Sequence, residues 1–310
     1  MTLEPEVSVI IPCYNYGAFL PGALASVASQ TFTSWECIVV DDGSTDDTSK
    51  VAQEWLQKDS RFVYLRQENA GLAAARNAGL LCASGEFVQF LDADDTVDSS
   101  KLGRQVDILR SSPRNTQVHS TFQYFHEATG EIELGPDYGQ LSLSSRKSLL
   151  WRLIFDWENG FVIPIHAFLF RRSVIDAVGG FAEDIPTHED IDLYLRLAMN
   201  NVVFVYQAEN LAEYRVHFSN MSKNLSRMQQ GYLGALGNAL KAADSFPTKI
   251  LVFARYGIEV SQCLIHWFRR RDISLTQSLF KSGHPVASTG SLLLLPIFLV
   301  VSLIRKLRFA

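Results

Sequence analysis

The first ninety residues alternate short apolar runs with longer amphipathic ones. VSVII (7–11), closed by Pro12, ECIVVD (36–41), RFVYL (61–65) and EFVQFL (86–91) predict four strands, the second and fourth apolar enough to be buried. The intervening stretches predict helices. FLPGALASVASQ (19–30) carries Pro21 in its first turn, where a proline is tolerated. GSTDDTSKVAQEWLQK (43–58) offers Ser44 or Thr45 as a cap ahead of an Asp-rich first turn, and GLAAARNAGLLCA (71–83) predicts a third helix. Strands alternating with helices through short connections predict a doubly wound, mainly parallel α/β sheet. Ligands of such sheets sit beyond the carboxyl ends of the strands, and Tyr14 with Asn15, Asp41 with Asp42, and Asp92 to Asp95 share that edge.

Beyond residue 100 the pattern loosens. A helix is expected over 101–112, a hairpin over 117–134 turning at Thr129-Gly130, and a strand over 166–172. A helix stopped by Gly179-Gly180 follows, then an amphipathic helix over 189–200 and a strand over 202–206. From residue 226 the chain reads as helical, and at 292–304 it becomes strongly apolar. The pattern divides the chain into a catalytic unit over 1–225 and a helical C-terminal region over 226–310.

Composition narrows the class. With 47% apolar and 20% charged residues the chain can bury a large core, and its net charge of −5 gives no basic surface for nucleic acid. The four cysteines, at 13, 37, 82 and 263, show no metal-binding spacing and read as buried thiols of a reducing cytosol. The N-terminus shows neither a basic n-region nor a long apolar stretch, so no signal peptide is expected.

The chemistry starts from FLDADDTVD (90–98), where three carboxylates follow a buried strand. Like charges this close repel unless a cation or a donor-rich ligand gathers them. Asp-x-Asp at a strand tip supplies one or two oxygen ligands, too few to cage Mg²⁺ or Mn²⁺. Such ions complete their shells with water and substrate phosphates, so the motif points to a metal-bound nucleotide diphosphate.

VSVIIPCYNYGAFL, VVDDGSTDDT, GLAAARNAGL, FLDADD, GGF and HEDIDLYLRLA occur in that order, and together they resemble the family 2 inverting glycosyltransferases of the GT-A fold over roughly residues 5–222. The resemblance implies a Rossmann-like nucleotide-binding half and an acceptor half. It implies transfer of a sugar from a nucleotide-diphosphate sugar to an acceptor hydroxyl with a divalent metal. In similar enzymes the turn at Pro12, Tyr14 and Asn15 lies beside the nucleotide base, where the Tyr ring can stack. The likeness gives base recognition to Asp41 or Asp42, places Arg76 near the nucleotide or on a neighbouring aspartate, and assigns Asp92 to the ribose or a metal-bound water. Asp94 becomes the metal ligand, and Asp95 has the least defined role. Asp46 and Asp47 read as helix-start charges. In HEDIDLYLRLA the resemblance makes Asp190 the base, with Glu189 as alternate or acceptor contact. Arg215 could neutralise phosphate and His217 could ligate the metal. Trp151, Trp157, His166 and Phe168 fall where acceptor-binding residues occur in similar proteins.

Two rival classes compete. DADDT also reads as the nucleophile motif of haloacid dehalogenase-like phosphatases, but those place it after the first strand rather than the fourth. A non-catalytic sugar-binding protein on the same fold would not need both Asp94 and Asp190, which are present. The tail predicts location. Leu292 to Ile304 is shorter than a membrane span, is interrupted by Pro296, and is flanked by Arg269–Arg271 and by Arg305, Lys306 and Arg308. That pattern predicts a peripheral enzyme on the cytoplasmic face of a membrane, using a glycan or lipid-linked acceptor.

Overall fold

The computed structural model describes residues 4–136, 146–157 and 161–270. Strands β1 (Val7–Cys13), β2 (Trp35–Asp41), β3 (Phe62–Arg66) and β4 (Phe87–Phe90) are parallel, in the spatial order β3-β2-β1-β4. Helices α1 (Leu20–Ala28), α2 (Thr48–Lys58) and α3 (Leu72–Cys82) connect them. The period of two in the strands sorts side chains to two cores. Val7, Val9 and Ile11 pack with Leu20, Leu24 and Ala52, whereas Ile10, Ile38 and Val40 pack with Ala75 and Leu80 of α3. On α3, Gly79 lies so close to Ile10 that a β-carbon there would collide with the Ile10 side chain. This close approach keeps Arg76, on the same helix, beside the strand tips.

The doubly wound parallel arrangement ends at β4, and the remainder of the sheet is mixed. After β5 (Thr96–Val97) come α4 (Lys101–Ser111), β6 (Thr116–His126) and β7 (Glu131–Leu134), then α5 (Arg146–Trp151) with a wider helical turn at Arg152–Asp156. β8 (Phe168–Arg171), α6 (Arg172–Asp176), α7 (Glu189–Met199) and β9 (Val203–Val216) follow, then α8 (Leu225–Ala242) and α9 (Phe246–Arg270). β8 is antiparallel to β4 and β6, β9 runs parallel to β6, and β5 is antiparallel to β9. The long β9 returns the chain to the acidic strand tip. The expected hairpin forms, with β6 and β7 turning through Gly130 at φ 71°.

Several expectations shift in detail. β1 runs through Pro12 to Cys13, because Pro12 lies past the last β1–β4 pair, Ile10 with Phe90. Neither Ser44 nor Thr45 caps α2. Asp46 Oδ1 instead accepts the Thr48 N–H at 3.0 Å, so the helix starts at Thr48. Cys13 and Cys37 are buried as expected, but Cys82, at the end of α3, is exposed. Phe168 is fully buried against Phe170, Tyr194 and Phe204, and Trp157 packs on Tyr194, so both belong to the core rather than to an acceptor surface. The boundary expected at 225 falls at the start of α8, whose Tyr232, Leu233 and Leu236 enter the same core as Leu193, Leu195 and Leu197 of α7. No helix among the described residues is long and apolar enough to cross a membrane, and the apolar tail at 285–310 and the Cys263 side chain lie outside them.

Candidate active site

The tips of β1 and β2 form the first wall. Tyr14 is about half exposed there. Asn15 takes φ 57°, a conformation asparagine tolerates, and its Oδ1 accepts the Thr45 N–H at 2.8 Å while its own N–H donates to Ser44 Oγ at 2.9 Å. Asp41 is fully buried and accepts from Ser44 N at 2.7 Å and from the Tyr64 hydroxyl at 2.5 Å. Asp42 accepts from Gln67 Nε2, Ala70 N and Gly71 N at 2.7–2.8 Å. Every oxygen of these two carboxylates thus already accepts a protein hydrogen bond. The pair shapes the loops that lead into α2 and α3, and Tyr14 is the member of this wall turned to open space.

The acidic tip of β4 forms the floor. Asp94 Oδ2 lies 2.9 Å from His217 Nε2, and Arg215 Nε donates to the Asp94 carbonyl at 2.9 Å. Phe19 and Tyr16 flank the His217 ring, with centroids 4.5 and 5.9 Å away. Burial lowers the His217 imidazole below its ordinary value, which favours the neutral ring that ligates metals. Burial, with the Asp95 and Asp92 charges beside it, pushes Asp94 up to about 8. The carboxylates at this tip thus crowd one another, with Arg215 only partly offsetting them at Asp94. Asp95 points the other way: its Oδ1 accepts the Arg215 N–H at 2.8 Å and its Oδ2 lies 3.0 Å from His166 Nδ1.

The carboxylate and imidazole donors fit a divalent cation of the Mg²⁺ or Mn²⁺ kind. Two overlapping sets compete. Asp92, Asp95 and His166 offer ligand atoms within 4.8 Å of one another, whereas the sequence grouped Asp92, Asp94 and His217. Accessibility favours the carboxylates of the second set, while its His217 ring is as closed off as that of His166. The side chains of Asp92 and Asp94 are 30% and 14% exposed, while those of Asp95 and His166 are closed off at 2% and 0%. A hydrated ion arriving with a nucleotide reaches the first pair.

Arg76 ties this floor to the opposite wall. Its guanidinium, 2% exposed, holds Asp92 Oδ1 at 2.6 Å and Glu189 Oε1 at 2.5 Å, and it lies 5.3 Å from the Phe181 ring. Glu189 opens α7 after His188, which takes φ 61°. A left-handed residue is strained unless its surroundings fix it, and here it turns the chain sharply into the helix. Asp190 is the next residue. It is partly exposed, and one of its oxygens accepts the Ile191 N–H at 2.7 Å. Burial and the Glu189 charge, against the pull of Arg76, push Asp190 up to about 7. Glu189 is thereby held as a structural ion-pair partner, while Asp190, partly exposed, sits near neutral basicity. Arg215 lies between Phe125 and Phe19, partly exposed, with Nη1 4.0 Å from Glu127 Oε1.

Of the residues singled out from the sequence, the structure therefore brings together Arg76, Asp92, Asp94, Glu189, Asp190, Arg215 and His217, and leaves Tyr14 exposed at the tip of β1. Pro12, Asn15, Asp41 and Asp42 hold the loops around them. Asn77, on α3, ties the double-glycine turn by accepting from Phe181 N at 2.9 Å and donating to Phe181 O at 3.0 Å. The Asp95–His166 pair was not foreseen, since a lone histidine ahead of a strand carries no spacing signal. The acidic motif follows β4, which removes the phosphatase reading that required it after the first strand.

The chain is similar to known proteins. A profile described as glycosyl transferase family 2 matches residues 8–179. Glycosyltransferase GlyA of Streptococcus pneumoniae is 43% identical over 288 residues, 89% of this chain and 38% of GlyA. Glycosyltransferase TuaG of Bacillus subtilis is 43% identical over 225 residues, 71% of this chain and 83% of TuaG. The chain spans well under two thirds of the length of GlyA and about half that of the Bacillus subtilis relative EpsH. Among solved structures, S. aureus TarS 1–349 in complex with UDP-GlcNAc superposes with a TM-score of 0.65 at 20% identity, covering 82% of this chain and 72% of that one. Mannosyltransferase PcManGT of Pyrobaculum calidifontis, in complex with GDP-Man and Mn²⁺, superposes with a TM-score of 0.64 at 19% identity, covering 100% and 82%. The mixed sheet is thus the GT-A fold expected from the motifs, and the chain belongs to glycosyl transferase family 2.

Proposed function

We propose that this chain moves a sugar from a nucleotide-diphosphate sugar to a hydroxyl of a glycan or lipid-linked acceptor, with inversion at the anomeric carbon, by a metal-assisted single displacement. One observation carries the reading. A single buried guanidinium, Arg76, joins the acidic tip Asp92 to Glu189, so the candidate base Asp190 stands one residue from the group that orients the donor corner. The complexes of TarS with UDP-GlcNAc and of PcManGT with GDP-Man and Mn²⁺ support a nucleotide-sugar donor and a divalent cation.

Tyr14 supplies an exposed ring on which a nucleotide base stacks. Asp94, with Asp92 and His217, holds the cation, which when bound neutralises charge growing on the departing diphosphate. Arg215, partly exposed, adds a positive charge toward the phosphates. Glu189 keeps Arg76 in place, and Asp190 takes the proton of the attacking hydroxyl on the face opposite the leaving group. A base works best when its pKa lies near the working pH, and Asp190 at about 7 meets that condition. We place the enzyme in the cytoplasm, at the membrane face, through its basic and apolar tail.

The test is Asp190→Asn. Donor and cation binding are expected to persist, while kcat falls by roughly 10²–10⁴. Proton NMR of the first product is expected to show the anomeric configuration opposite to that of the donor. Retention of configuration, or a loss of donor affinity with kcat unchanged, overturns the assignment.

A further inference from the structure

A second polar cluster lies behind the site and touches none of its open surface. Lys101, the first residue of α4, is 0% exposed, and among the described residues its Nζ meets no carboxylate. Nζ donates to Gln89 Oε1 of β4, to Gln105 Oε1 one turn along α4 at 2.6 Å, and to the Phe168 carbonyl at 3.0 Å. The two glutamines are themselves fully buried and point their amide nitrogens at the same stretch of chain. Gln89 Nε2 donates to the His166 carbonyl at 3.0 Å, and Gln105 Nε2 donates to the Ala167 carbonyl at 3.2 Å. Three successive carbonyls, at 166, 167 and 168, are thus each held by a different side chain, and the lysine links the three side chains into one network. Burying an amine and two amides costs several kcal/mol of lost hydration unless each group is bonded, so generic packing does not account for the arrangement.

The stretch so held carries His166. Its ring, 0% exposed, stacks against Tyr214 at a centroid distance of 6.3 Å, and Nδ1 meets Asp95 Oδ2 at 3.0 Å. Asp95 passes the constraint to β9 by accepting the Arg215 N–H, and Arg215 and His217 then close on Asp94 at 2.9 Å each. Asp95 Oδ1 therefore accepts a bond from within the protein, and its Oδ2 lies against the His166 ring.

We propose that Lys101, Gln89 and Gln105 are positioning residues for glycosyl transfer: they lock His166 onto Asp95, and Asp95 in turn fixes the Arg215–His217 turn against Asp94. In this arrangement His166 and Asp95 stand behind the cation corner without ligating an ion. The inference rests on reading Asp94 and His217 as that corner. Groups that orient metal ligands from behind typically carry 10–100-fold in metal affinity or activity when removed.

The test uses the full chain and Mn²⁺ alone as probe, with binding followed by calorimetry and by pulsed electron paramagnetic resonance. Lys101→Met by itself strands two buried amide oxygens, so the chosen variant is the double substitution K101M/Q105L. The double change removes one stranded oxygen, Gln105 Oε1, and leaves Gln89 Oε1 as the remaining cost, about 1–3 kcal/mol. The variant is expected to stay folded with its melting temperature lowered by up to about 10 °C, while the Mn²⁺ Kd weakens by roughly 10-fold or more and kcat/KM falls alongside. The imidazole nitrogen coupling to Mn²⁺ is expected to survive His166→Gln and to vanish in His217→Ala. Unchanged Mn²⁺ affinity and kcat in a folded K101M/Q105L protein makes the network structural and overturns the inference alone. Loss of the nitrogen coupling in His166→Gln makes His166 a ligand and also overturns it. Absence of Mn²⁺ binding to the parent chain overturns the cation-corner reading itself, and the inference with it.

Discussion

Arg76→Met is expected to destabilise the fold by about 3–5 kcal/mol, a cost set by the two carboxylates it strands. Arg76 and Glu189 are 2% and 7% exposed, so water and salt screen their pair little, whereas Asp92 at 30% exposure can rehydrate. Methionine keeps the aliphatic packing near Phe181, so the loss reads out charge rather than a cavity. Most of the cost is then the uncompensated Glu189, and R76M/E189M, which removes both buried charges, is expected to recover more than half of it. Urea denaturation of the parent, R76M, E189M and R76M/E189M at one pH closes the cycle. A single variant within 1 kcal/mol of the parent refutes the reasoning, as does a double variant no more stable than R76M. Activity is expected to stay low in R76M/E189M even though stability returns, because Asp92 loses its orienting partner in either case.

Asp94→Asn is expected to nearly abolish transfer and to remove the metal-dependent part of nucleotide binding, measured by titrating UDP and GDP with and without Mn²⁺; wild-type turnover in metal-free buffer contradicts it. With Asp190 at about 7, log kcat is expected to rise from pH 5 and level above neutrality, the base being active only when ionised. Stability has the opposite sign: the folded value lies above the ordinary ~3.9, so the folded state holds a proton the unfolded state has lost, and stability falls as pH rises between about 4 and 7. Asp190→Asn should flatten that slope in denaturation curves, and an unchanged slope removes Asp190 as its source. Deleting residues 285–310 is expected to move the chain from anionic liposomes to the soluble fraction in flotation assays while donor binding persists.

The half of the fold that is local in sequence was legible. β1 to β4 are continuous apolar runs whose period and length admit few alternatives, and their tips are where the carboxylates fall. The rest depends on pairings between distant segments. β9 is legible as a strand only at 202–206. Its extension QAENLAEYRV is polar because most of its positions are only partly buried, and only the register with β6 identifies it as strand. Lys101 at the start of an amphipathic helix reads as a surface cation, and nothing in the spacing shows that Gln89 and Phe168 wait beneath it. Asp41 and Asp42 mislead for the opposite reason. An Asp-Asp-Gly turn at a strand tip is as suited to binding its own loop as to binding a base, and hydrogen bonding to Ser44, Ala70 and Gly71 decides for the loop.

The charge distribution explains why one arginine recurs in each part of the argument. Asp92, Asp94, Asp95, Glu189 and Asp190 converge from β4 and α7, and the cationic side chains bonded or adjacent to them are Arg76 and Arg215. His166 and His217 relieve Asp95 and Asp94 only in so far as they donate a hydrogen. A cluster of carboxylates this dense disfavours a bare diphosphate. On the proposed reading the nucleotide enters in company with a cation, received at the Asp94 corner. Arg76 cannot serve in that role, because both of its faces are already committed to Asp92 and Glu189. On the same reading its position links Asp92, proposed to meet the donor, to the helix proposed to present the base, so the two halves of the reaction share one link.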